Sequence, residues 1–110
     1  MMKTITVFTP AYNRARTLRR AFDSLKRQTC KDFEWLIIDD GSSDDTDKLV
    51  EELKKEADFP IRYYWKKNGG RHTAVNYSYQ FLRTQYVVTL DSDDELTDTA
   101  IELMIKAWNE

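Results

Sequence analysis

The chain has 110 residues, and its 17 basic and 19 acidic side chains leave a formal net charge of -2. Hydrophobic residues make up 41% and aromatic residues 13%, which is typical of a globular domain and excludes a disordered tail. The charge balance argues against a nucleic-acid partner, since binding a duplex requires a basic surface. No apolar run is long enough to cross a bilayer, so we expect no membrane segment in the chain. The expected location is cytoplasmic, or the inner membrane face for a longer protein.

Four short apolar runs predict β-strands, because each is rich in β-branched or aromatic residues and is bounded by turn formers. In chain order they cover residues 5–8, 33–38, 61–65 and 86–90. Pro10 closes the first run, and Asp39 and Asp40 close the second. The aromatic side chains inside the strands, including Trp35 and Trp65, are expected in the core.

The segments between these runs change to the period of a helix. Apolar or small residues at i, i+3, i+4 and i+7 occur three times, beginning at Leu18, at Thr46 and at Ile101. Residues 72–82 have a less regular inner face, and the last helix is expected to begin at Thr97.

The alternation of strands and helices predicts an α/β fold with three layers, α/β/α, around a mostly parallel sheet. The length is that of a single domain, residues 1–110. The last predicted helix reaches residues 108–110 without a stop signal, so we expect the chain to be a fragment of a longer polypeptide.

Polar loops follow all four predicted strands. They cover residues 9–14, 39–43, 66–72 and 91–94, and they are acidic, basic or glycine-containing where the strands are apolar. In an open parallel sheet, ligands bind outside the carboxyl ends of the strands. The four loops are therefore expected to line one site at one edge of the sheet.

Asp91, Asp93 and Asp94 come directly after the fourth strand. Neighbouring carboxylates repel one another, and a bound cation commonly offsets that cost. Oxygen ligands favour Mg²⁺ or Mn²⁺, which take one or two protein carboxylates and leave positions for phosphate oxygens. The alternative is a helix N-terminus carrying acids, since Thr97 is expected to open the next helix. We favour the metal site because the cluster directly follows an apolar strand.

Two other loops carry candidate ligand contacts. Asp39 or Asp40 is suited to accept a hydrogen bond from a base or a sugar, although a helix-capping turn is the alternative. The loop 66–72 places two glycines beside three cations, which is typical of an anion site but equally of a flexible surface turn. Neither a phosphate loop nor a dinucleotide fingerprint is present, which disfavours a nucleoside triphosphatase or a dehydrogenase.

Four stretches closely resemble the amino-terminal, nucleotide-sugar-binding part of family 2 glycosyltransferases, which have the Rossmann-like GT-A fold. They are residues 9–14 (TPAYNR), 36–46 (LIIDDGSSDDT), 68–76 (NGGRHTAVN) and 91–93 (DSD). The resemblance implies inverting transfer of a sugar from a nucleoside diphosphate, expected to be UDP, with Mn²⁺ or Mg²⁺ as cofactor. It implies a saccharide or a lipid-linked hydroxyl as the acceptor of the full-length protein.

The resemblance also implies residue roles. Thr9, Ala11 and Tyr12 would line the nucleoside pocket, and Asp39 would accept a hydrogen bond from a uracil-like base. Arg71 would approach the base or the phosphates. The predicted substrate contacts are Thr9, Pro10, Ala11, Tyr12, Asn13, Arg14, Asp39, Asp40, Gly70, Arg71, Asn76, Asp91 and Ser92. The Asp-x-Asp motif contributes to the predicted metal ligands, which are Asp91, Asp93 and Asp94.

Two non-catalytic alternatives remain open at this point. A receiver-like module would carry paired acids after its first strand, where this chain has Pro10, Ala11 and Tyr12. A degenerate nucleotide-binding module would keep the pocket and serve as a scaffold. Family members carry their acceptor half and general base after the metal motif, so no residue here is assigned as that base. We therefore predict an enzyme for the parent protein and negligible transfer by this chain alone.

Overall fold

The computed structural model describes residues 3–109. Its strands are β1 (Ile5–Ala11), β2 (Phe33–Asp40), β3 (Ile61–Lys66) and β4 (Tyr86–Thr89). Its α-helices are α1 (Ala15–Lys26), α2 (Thr46–Glu56), α3 (Arg71–Ser78) and α4 (Ala100–Trp108), and a 3₁₀ turn (Tyr79–Phe81) extends α3. The predicted alternation of strands and helices is confirmed. None of the helices described here is long and apolar enough to span a bilayer.

The four strands form one sheet in the order β3-β2-β1-β4, and every neighbouring pair is parallel. The first three strands are added in one direction, and β4 then pairs with the free edge of β1. The strand order therefore reverses between β1 and β4. In open α/β sheets a ligand crevice lies at such a reversal, outside the carboxyl ends of the strands.

Helices cover both faces of the sheet, because successive side chains of a strand point to opposite faces. On one face, Trp35 and Ile37 of β2 pack with α1, α2 and α4 in the larger apolar cluster. On the other face, Leu36 and Ile38 pack with Ala74 of α3. The predicted three layers are confirmed.

β1 continues through Pro10, where the sequence predicted that it would end. Pro10 lies opposite Ile38 in the parallel register. Phe8, two residues earlier, directs its carbonyl to the amide of Leu90, and the ladder with β4 ends there. Proline lacks an N–H group, but β4 has already ended at this position, so no hydrogen bond between the strands is lost. The strand therefore carries Ala11 to the edge of the sheet.

α4 begins at Ala100, three residues after the predicted start at Thr97. The side chain of Gln28 donates to the carbonyl of Thr97 at 2.6 Å and accepts from the amide of Ile101 at 3.1 Å. Gln28 thus holds the backbone before the helix and caps one of its first amides. A partner 73 residues away decides where the helix starts.

The expectation that the strand aromatics are core residues is wrong for Trp65. Trp35 is fully buried in the central strand β2, whereas Trp65 is 55% exposed. Trp65 lies on β3, which is an edge strand. Its indole N–H points to the carbonyl of Ser42 at 3.4 Å, so it packs beside the loop that follows β2.

Glu34 of β2 is only 1% exposed, and its side chain connects β2 to β3 and to the segment before β4. Its carboxylate accepts hydrogen bonds from Arg62 of β3 at 2.5 Å and from Arg83, before β4, at 2.9 Å. Burial by itself raises the pKa of Glu34, but the hydrogen bonds from Arg83 and Arg62 outweigh it and hold the pKa below its usual value. The side chain is therefore charged in the folded protein at neutral pH.

Acidification is expected to destabilise the protein partly through Glu34. A carboxyl group whose pKa is lowered by folding stabilises the fold fully above its unfolded pKa, about 4.3. That contribution is lost as the pH falls through the folded pKa. Urea unfolding between pH 7 and pH 3 should show a smaller loss for Glu34→Gln than for the parent chain. Equal losses would contradict the assignment.

Candidate functional site

A cleft of about 430 Å³ opens at the carboxyl ends of the strands. Loops that follow all four strands contribute to its walls, as the sequence predicted. The lining residues are Pro10, Ala11, Tyr12, Arg14, Asp40, Asn68, Gly70, Arg71 and Ser92. Eight of these nine residues were predicted as substrate contacts, and the ninth, Asn68, was not.

Asn13 fastens the loop after β1 to the loop after β2. The backbone amide of Asn13 donates to Ser42 Oγ at 2.8 Å. Its side-chain Oδ1 accepts from the backbone amides of Ser43 and Asp44 at 2.8 and 3.2 Å. Its φ of 50° lies in the left-handed region that asparagine tolerates. Asn13 itself is absent from the cleft lining, which its neighbours Tyr12 and Arg14 reach.

Thr9 lies behind the cleft and is fully buried. Its hydroxyl donates to the carbonyl of Leu90 at 2.6 Å and accepts from the indole N–H of Trp35 at 2.8 Å. Thr9 therefore joins β1 to Trp35 of β2 and to the residue that follows β4. It supports the cleft without lining it.

Asp39 and Asp40 occupy different surroundings, although they are neighbours at the end of β2. Asp39 is 1% exposed, and its carboxylate accepts from the amide of Ser42 and from the hydroxyl of Tyr63. Burial and the hydrogen bond to Asp39 raise the pKa of Tyr63 far above its usual value, so the hydroxyl remains a donor. Asp40 lines the cleft, and Asp39 does not.

The carboxylate of Asp40 accepts hydrogen bonds from a lysine ammonium and from two backbone amides. Lys66 Nζ lies 2.8 Å from its carboxylate, and the amides of Gly69 and Gly70 lie at 3.0 and 2.8 Å. Burial by itself raises the pKa of Asp40, but these three hydrogen bonds outweigh it and lower the pKa. A charged carboxylate is thereby kept at the floor of the cleft.

Gly41 explains how Asn68 enters the cleft. The φ of Gly41 is +81°, and a Cβ added there would lie 2.6 Å from the backbone nitrogen of Asn68. Only glycine combines this conformation with so close an approach. The loops after β2 and β3 therefore touch, and the side chain of Asn68 donates to the carbonyl of Asp40 at 2.9 Å. The sequence signal for Asn68 was its position immediately before two glycines.

Arg71 lines the cleft and pairs with Asp91, which does not line it. Arg71 Nη1 donates to Asp91 Oδ1 at 2.5 Å, and the two side chains are 60% and 40% exposed. An ion pair this exposed contributes little to stability, so both groups can exchange partners when a ligand enters. The predicted contact Asn76 lies outside the cleft, in a neighbouring depression on α3 that also includes Arg71.

Ser92 is buried and lines the cleft, whereas Asp93 and Asp94 are exposed beside it. Asp93 borders a small polar pocket of about 150 Å³ together with Arg14, which also lines the cleft. α4 begins only at Ala100. Asp94, the last of these acids, therefore lies six residues before α4, farther from the helix than the alternative with a start at Thr97 supposed.

The acids after β4 would supply only some of the ligands that a cation needs. Within residues 3–109 no three side chains of the His, Cys, Asp or Glu type form a metal-binding group. Across the same residues Asp93 and Asp94 have no ion-pair partner, and Asp91 pairs with Arg71. Mg²⁺ and Mn²⁺ typically take one or two carboxylates and complete their shell with phosphate and water oxygens. The exposed carboxylates suit that arrangement and do not form an all-protein cage.

The chain is similar to known glycosyltransferases in both sequence and structure. An uncharacterized glycosyltransferase of Rickettsia felis is 42% identical over 106 residues, which make up 96% of this chain and 17% of that protein. The crystal structure of S. aureus TarS 1–349 in complex with UDP superposes with a TM-score of 0.88 at 22% identity, covering 96% of this chain and 32% of that one. A Pyrobaculum calidifontis mannosyltransferase in complex with GDP-Man and Mn²⁺ gives 0.78 at 23% identity, covering 84% and 28%.

The chain spans at most 32% of the length of any of these three proteins. The two solved structures are too distant in sequence to support more than the fold, which is GT-A. The family model described as Glycosyl transferase family 2 matches residues 6–110. This chain therefore belongs to glycosyl transferase family 2.

Proposed function

We propose that this chain is the donor-binding part of an inverting glycosyltransferase and binds a UDP-sugar in the cleft with the help of Mn²⁺ or Mg²⁺. The observation that carries the proposal is the convergence of loops from all four strands on one cleft, with exposed acids at its border. The TarS structure with UDP and the mannosyltransferase structure with GDP-Man and Mn²⁺ have the same fold and support this assignment.

The diphosphate would lie between two arginines. Arg14 and Arg71 both line the cleft, and a guanidinium group binds phosphate oxygens through paired hydrogen bonds. Arg71 is also the first residue of α3, where free backbone amides and the helix dipole favour an anion. Asp40, which also lines the cleft, is already paired with Lys66 at 2.8 Å and offers no donor to a phosphate.

The nucleoside would lie on the side of the cleft that β1 forms. Tyr12 is 49% exposed and lines the cleft, so its ring can stack on a base. Pro10 and Ala11 present apolar surface beside it. Of this pair of acids, Asp40 lines the cleft, and Asp39 would take part only if Tyr63 released its carboxylate.

Asp93 and Asp94 would hold the cation, with Asp91 joining them after leaving Arg71. When bound, the cation would neutralise charge on the departing diphosphate. Asp93 borders a small pocket that also contains Arg14, and Arg14 lines the cleft. The acceptor would be a saccharide or a lipid-linked hydroxyl, and we assign no general base.

The test is calorimetric titration of the 110-residue chain with UDP, with and without Mn²⁺. We expect UDP to bind more tightly with the cation, because the metal bridges the exposed carboxylates and the diphosphate. GDP and ADP serve as competitors that carry the same diphosphate on other bases. Negligible sugar transfer is expected from this chain alone.

Each other outcome contradicts a different part of the proposal. Equal affinity with and without Mn²⁺ would remove the metal from the site. Equal affinity for UDP, GDP and ADP would remove the uracil preference. Absence of binding by any of the three nucleotides would refute the donor site itself.

A further inference from the structure

Lys66, the last residue of β3, uses its whole ammonium group within the protein. Its Nζ lies 2.8 Å from Asp40 Oδ1, 2.9 Å from Thr73 Oγ1 and 2.6 Å from the carbonyl of Lys67. A lysine ammonium has three N–H donors, so these three acceptors leave none for a ligand. The side chain is only 15% exposed. Lys66 is therefore unsuited to the anion-binding role that the loop composition suggested.

Asp40 depends on Lys66 for its charge balance. Its side chain is 6% exposed, and Lys66 is its only ion-pair partner within residues 3–109. A buried carboxylate without a cation is costly to keep charged. Asp40 in turn accepts from the amides of Gly69 and Gly70, so the ion pair also holds the backbone of this loop.

The same contacts set the start of α3. Gly70 precedes the helix with a φ of 99°, and its carbonyl accepts from the hydroxyl of Thr73 at 2.6 Å. That hydroxyl also accepts from Lys66. Lys66 thus reaches both sides of Gly70, through Asp40 on its amide and through Thr73 on its carbonyl. The next residue is Arg71, which lines the cleft.

We propose that Lys66 is a positioning residue of the donor site, which touches no ligand and fixes Asp40 and the start of α3 so that Arg71 faces the cleft. The inference rests on the proposed function, because the consequence is measured as nucleotide affinity. Without the ammonium, Asp40 lacks its cation, and the loop 66–70 loses the contacts of Lys66 with Asp40, Thr73 and the carbonyl of Lys67. The cleft would then have to be ordered by the nucleotide itself, which weakens binding.

The test compares Lys66→Met with Lys67→Met. Methionine keeps much of the length of the lysine stem without the charge, and Lys67 is the exposed neighbour that serves as the matched control. We expect Lys66→Met to weaken UDP binding in the presence of Mn²⁺ by about fivefold to tenfold and Lys67→Met by less than about twofold. Amide hydrogen exchange should show Gly69 and Gly70 losing protection in Lys66→Met alone.

A double-mutant cycle separates positioning from a general loss of stability. In an Asp40→Asn background, Lys66→Met is expected to weaken UDP binding by at most about threefold, the effect left for its contact with Thr73, because the ion pair is already absent. Additive effects of the two substitutions would overturn the proposal. Parent-like UDP affinity in Lys66→Met would do so as well, since the cleft would then not depend on Lys66.

A milder variant covers the case in which Lys66→Met does not fold. Thr73→Val has a similar shape and removes one of the three acceptors, so UDP binding should weaken by about twofold to threefold. An unchanged affinity in that variant refutes the proposal. If the parent chain binds no UDP, the proposed function fails first, and the exchange of the Gly69 and Gly70 amides still shows whether Lys66 orders this loop.

Discussion

Glu34→Ala is expected to lower the free energy of unfolding by about 3–5 kcal/mol, the range for removing one partner of a buried ion pair. Arg62 would lose its carboxylate while 83% of its side chain stays buried, since only 17% is exposed. Its remaining acceptor would be the carbonyl of Phe81. Domains of this size are stable by about 5–15 kcal/mol, so the loss is a large fraction. Urea unfolding at pH 7 measures it.

Glu56→Ala is the matched control for that experiment. Glu56 also pairs with an arginine, Arg19, at 2.8 Å, but both side chains are more than 40% exposed. Exposed pairs contribute little to stability because solvent screens them, so this variant should unfold almost like the parent chain. Similar losses for Glu34→Ala and Glu56→Ala would mean that burial does not govern the strength of these pairs.

The double variant Asp93→Ala/Asp94→Ala is expected to lose the metal-dependent part of UDP binding. These two carboxylates have no ion-pair partner among residues 3–109, so the fold does not need their charge. We expect the affinity for UDP with Mn²⁺ to fall at least thirtyfold, roughly 2 kcal/mol. Affinity without Mn²⁺ should change little. Calorimetric titration under both conditions gives the comparison.

Asp98→Ala controls for the loss of a negative charge nearby. Asp98 is 61% exposed and pairs with Arg27, away from the cleft lining. It should keep the full effect of Mn²⁺. Retention of that effect in the Asp93→Ala/Asp94→Ala variant would remove both residues from the metal site, and Asp91 alone would then have to be tested.

Much of the fold follows from short patterns in the sequence. The four strands and the four helices were predicted in their observed order, apart from the end of β1 and the start of α4. This was possible because the spacing of apolar residues depends only on nearby positions in the sequence. The edge that carries the cleft followed from the same patterns, since parallel strands all end at one edge. All nine cleft residues lie in the four loops that this reasoning grouped, and eight of them were also named as substrate contacts with the help of the family resemblance. Asn68 was missed because its approach depends on Gly41, which belongs to a different loop.

Other features depend on partners far away along the chain. α4 begins at Ala100 because Gln28 holds the residues before it. Trp65 is exposed because β3 is an edge strand. The sequence of a single segment does not predict its position in the strand order. In the sequence, Lys66 is one of three neighbouring cations. In the structure it forms a largely buried ion pair with Asp40, which lies 26 residues away along the chain.

Residue type and spacing within a few positions were therefore enough to predict the kinds of elements, their order and the edge of the sheet at which polar loops gather. Long-range contacts set which polar side chains bond within the protein and which remain available to a ligand. Hydrogen bonds and ion pairs form between side chains that folding brings together, so Lys66 and Asp39 were taken up by the fold, while Arg14, Asp93 and Asp94 were left at the border of the cleft.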